Sequence, residues 1–137
     1  MEFKNNIKKY KSTNTICYSC QYHIIWTTKY RRKVLTEKIQ NRLKELIISK
    51  QEELDFLIID MEVMEDHIHL LLDVNPYIGV YKVISILKGY TSRELRKEFK
   101  ELTSRLPTLW TRSKFISSCG SVSLEVVKKY IENQKGK

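Results

Sequence analysis

The hydrophobic pattern of the chain predicts an α+β fold. Segments with the composition of β-strands and segments with helical periodicity follow one another in the order strand, helix, strand, strand, helix, strand, helix. Only a polar pair of residues separates the two central strands, which predicts a hairpin. Two strand–helix–strand halves around a central hairpin are typical of the ferredoxin-like (RRM-like) sandwich, an antiparallel sheet with helices on one face. The other face is then open for function.

The first half of the chain predicts a strand and a helix. Residues 17–28 are rich in aromatic and β-branched side chains and therefore predict the first strand. Residues 36–54 predict the first helix, with Thr36 as its N-cap, because apolar residues recur there at helical spacing. These apolar positions are Ile39, Leu43, Leu46, Ile47 and Leu54.

The centre of the chain predicts the hairpin. Residues 56–64 and residues 67–74 both have the apolar and β-branched composition of strands. Glu65 and Asp66 form a polar pair between them that can turn the chain. An Asn-Pro pair then ends the second of these strands, because proline cannot continue the ladder.

A long helical segment follows the hairpin. Residues 77–106 carry two apolar stripes at helical spacing. Gly89 lies between the stripes, and Thr91 with Glu94 three residues later has the form of a capping box. We therefore expect a break near Gly89 and a new helix start at Thr91. The stripes consist of Val80, Val83, Ile84 and Leu87, and of Leu95, Phe99 and Leu102.

The last part of the chain predicts a fourth strand at residues 112–119 and a final helix at residues 124–134. Nothing divides the sequence into two domains, because it contains only 2 prolines and no repeat or low-complexity stretch. Its 137 residues are a usual length for one compact domain. We expect residues 1–13 to be flexible.

The charge of the chain favours a polyanionic partner. Lys and Arg number 25 against 16 Asp and Glu, which gives a net charge of +9. Nucleic acid is the commonest such partner, although a basic protein from a lysine-rich proteome is the alternative. No apolar run has the roughly 18 residues of a membrane span, and no secretory signal is present, so we expect a cytoplasmic protein.

The three cysteines, Cys17, Cys20 and Cys119, do not predict a zinc site. Cys17 and Cys20 have the CxxC spacing of metal and redox sites, but a zinc site would need a second pair. Residues three apart in a predicted strand also point to opposite faces, which opposes chelation. Reduced, structural thiols are the better interpretation, and they fit a cytoplasmic protein.

The most specific local pattern is a pair of histidines in the third strand. His67 and His69 are two residues apart, so their side chains project to the same face. The alternating apolar residues Ile68, Leu70 and Leu72 belong on the helix-covered face, which places both imidazoles on the open face. Two adjacent imidazoles suit a divalent metal, including Mg²⁺ or Mn²⁺ when a substrate phosphate completes the shell. The alternative is two half-exposed histidines without a role.

The final helix carries a second candidate. Leu124, Val127 and Ile131 form its apolar stripe, and Tyr130 falls at the edge of that stripe. Gln134 follows Tyr130 by one turn on the same side. From the pattern alone, a core-edge aromatic residue is the better interpretation of Tyr130. The alternative is a phenolic nucleophile with a metal-binding amide one turn away.

The sequence resembles the small single-tyrosine transposases of bacterial and archaeal insertion sequences, the IS200-like, TnpA-type members of the HUH nuclease superfamily. The resemblance runs in order over nearly the whole chain. It rests on YHIIW (22–26), KYRRKVL (29–35), the HUH motif HIH (67–69), KG (88–89), SR (92–93), LPTLW (106–110), FIS (115–117) and VVKKYIENQ (126–134).

This resemblance implies a mechanism. His67 and His69 match the metal ligands of the family, Gln134 matches its amide ligand, and Tyr130 matches its nucleophile. A divalent metal, Mg²⁺ or Mn²⁺, would polarise the scissile phosphate. Attack by Tyr130 would leave a 5′-phosphotyrosine and a free 3′-hydroxyl, and rejoining would be the reverse attack by another 3′-hydroxyl.

The resemblance also implies the partners. They are single-stranded DNA with hairpins near the ends of the element, and a second copy of the chain. In such a homodimer the tyrosine helix of one chain completes the metal site of the other. Tyr30 or Trp26 is the candidate for base stacking. The candidates for contacts with DNA phosphates are Lys29, Arg31, Arg32, Lys33, Lys88, Arg93 and Lys97.

Two other hypotheses explain part of the sequence. A non-enzymatic RNA- or DNA-binding module of the same fold explains the charge, but it leaves the histidine pair, Tyr130 and Gln134 without a role. A metal-dependent hydrolase, in which the metal activates water and Tyr130 is structural, explains the histidine pair.

Overall fold

The computed structural model describes residues 11–12, 16–104 and 106–118. The predicted final helix, with Tyr130 and Gln134, lies outside these residues. Most of the N-terminal segment expected to be flexible also lies outside them. Within the described part of the chain, no helix is long and apolar enough to cross a membrane.

The described residues form strands and α-helices of between 2 and 19 residues. The strands are β1 (Lys11–Ser12), β2 (Cys17–Tyr18), β3 (Gln21–Thr27), β4 (Phe56–Val63), β5 (His67–Val74) and β6 (Phe115–Ser118). The helices are α1 (Glu37–Ser49), α2 (Gln51–Leu54), α3 (Val80–Glu98) and α4 (Glu101–Ser104), with a 3₁₀ turn at Lys29–Arg31.

The main sheet has the strand order of a ferredoxin-like fold, as predicted. Its four strands lie in the order β4-β5-β3-β6, and all neighbouring strands are antiparallel. Strands β4 and β5 form the predicted hairpin, while α1 connects β3 to β4 and α3 lies between β5 and β6. Strands β3 and β5 are the two central strands, so residues that are far apart in sequence lie side by side. Strands β1 and β2 form a separate pair.

Alternation along β5 separates the two faces of the sheet. Ile68, Leu70 and Leu72 are fully buried in the core that the sheet shares with α1 and α3. His67 and His69 alternate with these residues along the strand and are only half-buried. The predicted division into a helix-covered apolar face and a face that presents the histidines is therefore confirmed.

The predicted break in the second long helix is wrong. Helix α3 runs without interruption through Gly89, and the chain leaves it only after Glu98. Thr91 does not cap a new helix, because its buried hydroxyl donates to Leu87 O at 2.7 Å and accepts from Trp110 Nε1 at 3.0 Å. These two hydrogen bonds engage the Thr91 hydroxyl within a continuous helix, so it does not cap the start of a new one.

Other element boundaries also differ from the prediction. The predicted first strand is interrupted between β2 and β3, where the Cys20 amide donates to the Asp73 carboxylate at 3.1 Å. The predicted first helix is divided at Lys50 into α1 and α2. Its predicted N-cap is confirmed, since the Thr36 hydroxyl accepts from Ile39 N at 3.4 Å. Strand β6 begins at Phe115, three residues later than the predicted start at residue 112.

The two described cysteines are separate free thiols, as expected. Cys17 is exposed in β2, and Cys20 is half-buried between β2 and β3. Burial, followed by the nearby Asp73 carboxylate, raises the pKa of the Cys20 thiol, which opposes a reactive thiolate. The third cysteine of the sequence lies outside the described residues.

Candidate metal and DNA-binding site

The two histidines of the HIH motif lie next to strand β3. His67 pairs across the ladder with Thr27, and His69 pairs with Ile25. Within the described residues, no three His, Cys, Asp or Glu side chains gather closely enough to hold a metal ion together. Of the three predicted protein ligands, the described part of the chain thus contains His67 and His69, and Gln134 lies outside it.

His67 is oriented by the carboxylate of its neighbour in sequence. Its Nδ1 lies 2.9 Å from Asp66 Oδ1, and because a carboxylate only accepts, Nδ1 carries the proton and donates. The lone pair of the neutral ring is then on Nε2, the arrangement found in metal-binding histidines that are held by a carboxylate. The hydrogen bond from His67, followed by that from Arg31, holds the pKa of Asp66 below its usual value.

His69 has a different neighbour, the third histidine of the chain. His23 Nδ1 lies 3.0 Å from His69 Nε2, and the two rings stack with centroids 5.2 Å apart. His23 was not among the predicted site residues. The sequence pattern could have predicted its position. His23 alternates along β3 with the apolar residues Ile24 and Trp26, which are both buried. That alternation places His23 on the face that carries His67 and His69.

The basic segment after β3 is fixed to the hairpin turn beside His67. The backbone N–H of Thr28 donates to Asp66 O at 3.0 Å, and the Thr28 hydroxyl donates to Arg32 O at 2.7 Å. Farther along, the Lys29 amide donates to Leu109 O at 2.8 Å. We call residues 28–33 the basic loop. The loop therefore has a defined position against the edge of the histidine site.

Four of the predicted DNA-contacting residues lie on this basic loop. Arg31, Arg32 and Lys33 are exposed, while Lys29 is half-buried and its ammonium lies 5.2 Å from the centre of the Tyr30 ring. Arg31 also pairs with the Asp66 carboxylate at 3.3 Å. Their contacts with DNA stay predictions, but their place beside the histidines is a finding.

Two further predicted DNA-contacting residues lie on α3. Arg93 and Lys97 are exposed, and both approach the Glu94 carboxylate, at 3.6 Å and 3.4 Å. Exposed ion pairs of this kind are weak, so a phosphate can replace Glu94 at little cost. Their contacts with DNA also stay predictions.

Lys88, the last of the predicted DNA-contacting residues, has backbone partners. Its ammonium donates to Thr111 O at 2.7 Å and lies 3.3 Å from the carbonyl oxygens of Arg112 and Ser113. Burial, followed by the charge of Lys114, lowers the pKa of Lys88 to about 8. Lys88 thus holds α3 to the segment before β6, and a phosphate would have to compete with three carbonyl oxygens.

The two candidates for base stacking differ in exposure. Trp26 is 1% exposed and packs edge-on against Trp110 in the core, so its predicted stacking on bases is wrong. Trp26 lies on the helix-covered side of β3, because it alternates along the strand with residues of the open face. Tyr30 is 67% exposed on the basic loop, so it stays the candidate for stacking on bases.

Solved structures of transposases share this fold. A transposase from Deinococcus radiodurans R1 superposes with a TM-score of 0.73 at 30% identity, covering 90% of this chain and 97% of the other. The REP-associated tyrosine transposase bound to a REP hairpin superposes with a TM-score of 0.53 at 16% identity, covering 92% of this chain and 67% of the other. The second likeness concerns the fold alone.

Sequence comparison gives the same assignment. The chain is 35% identical over 124 residues to the ISDra2 transposase TnpA of Deinococcus radiodurans, which covers 88% of this chain and 87% of the relative. It is 27% identical over 119 residues to the IS200 transposase of Salmonella typhimurium, covering 85% of this chain and 78% of the relative. The IS200-like transposase family matches residues 16–134. The chain therefore belongs to the IS200-like transposase family.

Proposed function

We propose that this protein cleaves and rejoins single-stranded DNA at the ends of an insertion sequence, with a divalent metal and a covalent tyrosine intermediate. The observation that carries the proposal is the pair His67 and His69 on one face of β5, with His67 already oriented by Asp66. Membership of a transposase family supports the reaction class.

The donor set fits a divalent metal. His67 offers Nε2, because its other ring nitrogen donates to Asp66, and His69 lies beside it on the same face. Gln134 is the proposed third protein ligand. The proposed ion is Mg²⁺ or Mn²⁺, which would polarise the scissile phosphate and offset its developing charge. Two nitrogen ligands favour Mn²⁺ over Mg²⁺, which prefers oxygen.

Tyr130 is the proposed nucleophile. The phenol gives up its proton as its oxygen attacks phosphorus, a Tyr–O–P bond forms, and the bond between phosphorus and the 3′-oxygen breaks. The departing 3′-oxygen takes up a proton, and the 5′ phosphate stays on the enzyme. In the reverse step another 3′-hydroxyl attacks the phosphotyrosine, so the bond energy is conserved and no nucleotide cofactor is consumed.

The proposed substrate is single-stranded DNA that carries a hairpin. The basic loop supplies exposed cations beside the histidines, and Tyr30 supplies an exposed ring. The REP-associated transposase with the same fold is bound to a REP hairpin, which supports a hairpin as the partner. We also propose a homodimer in which the helix with Tyr130 serves the histidines of the partner chain.

A gel assay tests this proposal. The protein is incubated with Mn²⁺ and hairpin-containing single-stranded DNA that is labelled at either the 3′ or the 5′ end. We expect the 3′ label to migrate with the protein on a denaturing gel, because the downstream strand is attached through its 5′ phosphate. The 5′ label should appear in a shorter free strand. Chelation of the metal should abolish both products.

Two tyrosine variants make the assay specific. Tyr130→Phe should remove the adduct, while Tyr81→Phe, at an exposed tyrosine on α3, should leave it unchanged. An adduct with Tyr130→Phe would contradict the proposed nucleophile. Cleavage without an adduct would favour the metal-dependent hydrolase, and binding without cleavage would favour the non-enzymatic binding module.

A further inference from the structure

One carboxylate connects the basic loop to a candidate metal ligand. Asp66 Oδ1 accepts from His67 Nδ1 at 2.9 Å, and Asp66 Oδ2 accepts from Arg31 Nη2 at 3.3 Å. The Asp66 side chain is only 19% exposed, whereas that of Arg31 is 69% exposed. Each carboxylate oxygen therefore has its own partner, and the chain of contacts runs from an exposed guanidinium to the imidazole.

Thr28 connects the two segments that carry these contacts. Thr28 is fully buried, its amide donates to Asp66 O, and its hydroxyl donates to Arg32 O. The same residue thus fixes both the hairpin turn that carries Asp66 and the loop that carries Arg31. A displacement of the loop is therefore transmitted to Asp66 through the hydrogen bonds of one buried residue, Thr28.

The loop itself has an unfavourable backbone conformation. Tyr30 and Arg31 have φ values of 59° and 53°, in the left-handed region. For residues other than glycine, each such conformation costs about 1–2 kcal/mol, and it persists only where surrounding contacts maintain it. The pairing of Arg31 with Asp66 is one such contact. Arg31 therefore contacts the Asp66 carboxylate from a strained part of the loop.

We propose that Asp66 is a positioning residue for the metal ligand His67, and that Arg31 fixes the Asp66 carboxylate for this task. This inference rests on the proposed metal site, but it gives Arg31 a role that needs no DNA. Asp66 keeps the proton of His67 on Nδ1, which leaves Nε2 as the metal-binding nitrogen. Arg31 occupies the other carboxylate oxygen, so that the carboxylate does not rotate away from the imidazole.

Mn²⁺ affinity, measured by electron paramagnetic resonance on the protein without DNA, provides the first test. We expect Asp66→Ala to weaken Mn²⁺ binding roughly 10–100-fold, as is usual for outer partners of metal-binding histidines. Asp66→Asn should weaken it less, because the amide oxygen still accepts from Nδ1. Arg31→Ala should weaken it several-fold.

Arg32→Ala is the matched control for Arg31→Ala. Arg32 is the next exposed arginine of the same loop, and none of the ion pairs between described residues includes it. This variant should leave Mn²⁺ affinity unchanged. Equal Mn²⁺ affinity in wild type and Arg31→Ala would overturn the role of Arg31, because a residue that contacts only DNA phosphate has no effect in the absence of DNA.

The tautomer of His67 separates failure of this inference from failure of the proposed function. Long-range ¹H–¹⁵N spectra of the metal-free protein, recorded where the imidazole is neutral, should show the proton on Nδ1 in wild type. Asp66→Ala should shift the population towards the Nε2–H tautomer. An unchanged tautomer in Asp66→Ala would overturn the positioning role even if Mn²⁺ binds. The expected change supports that role even if wild type binds no Mn²⁺.

Discussion

His67 and His69 lie two residues apart on the same face of one strand, yet they are held in different ways. His67 donates to a carboxylate from its own hairpin turn, which leaves Nε2 unengaged by that contact. His69 meets His23 from the neighbouring strand, and its Nε2 is the nitrogen in contact. One candidate ligand is therefore oriented in advance, while the other must give up a contact if it binds a metal through Nε2. Two histidines of the same motif can therefore differ in how readily they bind a metal ion.

The largest expected effect is the loss of either histidine. His67→Ala and His69→Ala should each lower adduct formation with hairpin DNA by roughly a thousand-fold, because metal stabilisation of the transition state contributes several kcal/mol. Both side chains are half-buried on the open face, so thermal unfolding should change little. Near-normal adduct formation by one variant would show that only the other histidine is essential.

A second prediction contrasts the two faces of β5. Leu70 directly follows His69 in sequence, but it is fully buried beneath the helices. Leu70→Ala should lower the free energy of unfolding by about 2–5 kcal/mol, as expected for removal of a buried leucine. Urea denaturation measures this change. Where the variant remains folded, its Mn²⁺ affinity should match wild type, and a large loss of affinity would show that the two faces are not separable.

A third prediction concerns the contact that distinguishes His69. His23→Phe keeps an aromatic ring against His69 but removes the nitrogen that lies 3.0 Å from Nε2. Since a hydrogen bond contributes about 0.5–1.5 kcal/mol, its loss should tighten Mn²⁺ binding roughly 2–10-fold. Ser117→Ala, at the position opposite His23 on β6, is the control and should have no effect. Weaker Mn²⁺ binding by His23→Phe would show that His23 assists the metal instead.

The smallest expected effect lies farther along β5, at Asp73. Burial raises the pKa of this carboxyl above its usual 3.8, against the opposing hydrogen bond from the Cys20 amide and the charge of Lys11. The folded chain then binds more protons than the unfolded chain above pH 3.8, so wild type loses stability as pH rises through the folded-state pKa. Asp73→Asn cannot titrate and should gain stability relative to wild type over that range. Urea denaturation at several pH values measures the difference, and a pH-independent difference would contradict the burial argument.

The alternation of apolar and polar residues was sufficient to predict much of the fold. It also predicted the face on which His67 and His69 lie. The apolar set Ile68, Leu70 and Leu72 fixed the orientation of β5, and the orientation of the histidines followed from it. The strand order followed from the element order and the hairpin. Asp66 was predicted only as a turn residue, because its contact with Arg31 joins residues 35 positions apart.

Contacts that depend on register between distant segments were not predictable. The stacking of His23 on His69 requires the alignment of β3 with β5, which sequence patterns do not specify. The capping-box pattern at Thr91 was misleading for a similar reason, because the indole of Trp110 occupies the hydroxyl that would have capped a helix. In both cases the deciding partner comes from another part of the chain.

The proposed function depends above all on His67 and His69 together holding the metal. Electron spin-echo envelope modulation of bound Mn²⁺ tests it directly, because coupling to ¹⁴N counts the imidazoles on the ion. Wild type should show two coupled imidazole nitrogens, and His67→Ala and His69→Ala should each show one. Bound Mn²⁺ without nitrogen coupling, or a signal that neither variant changes, would contradict the claim.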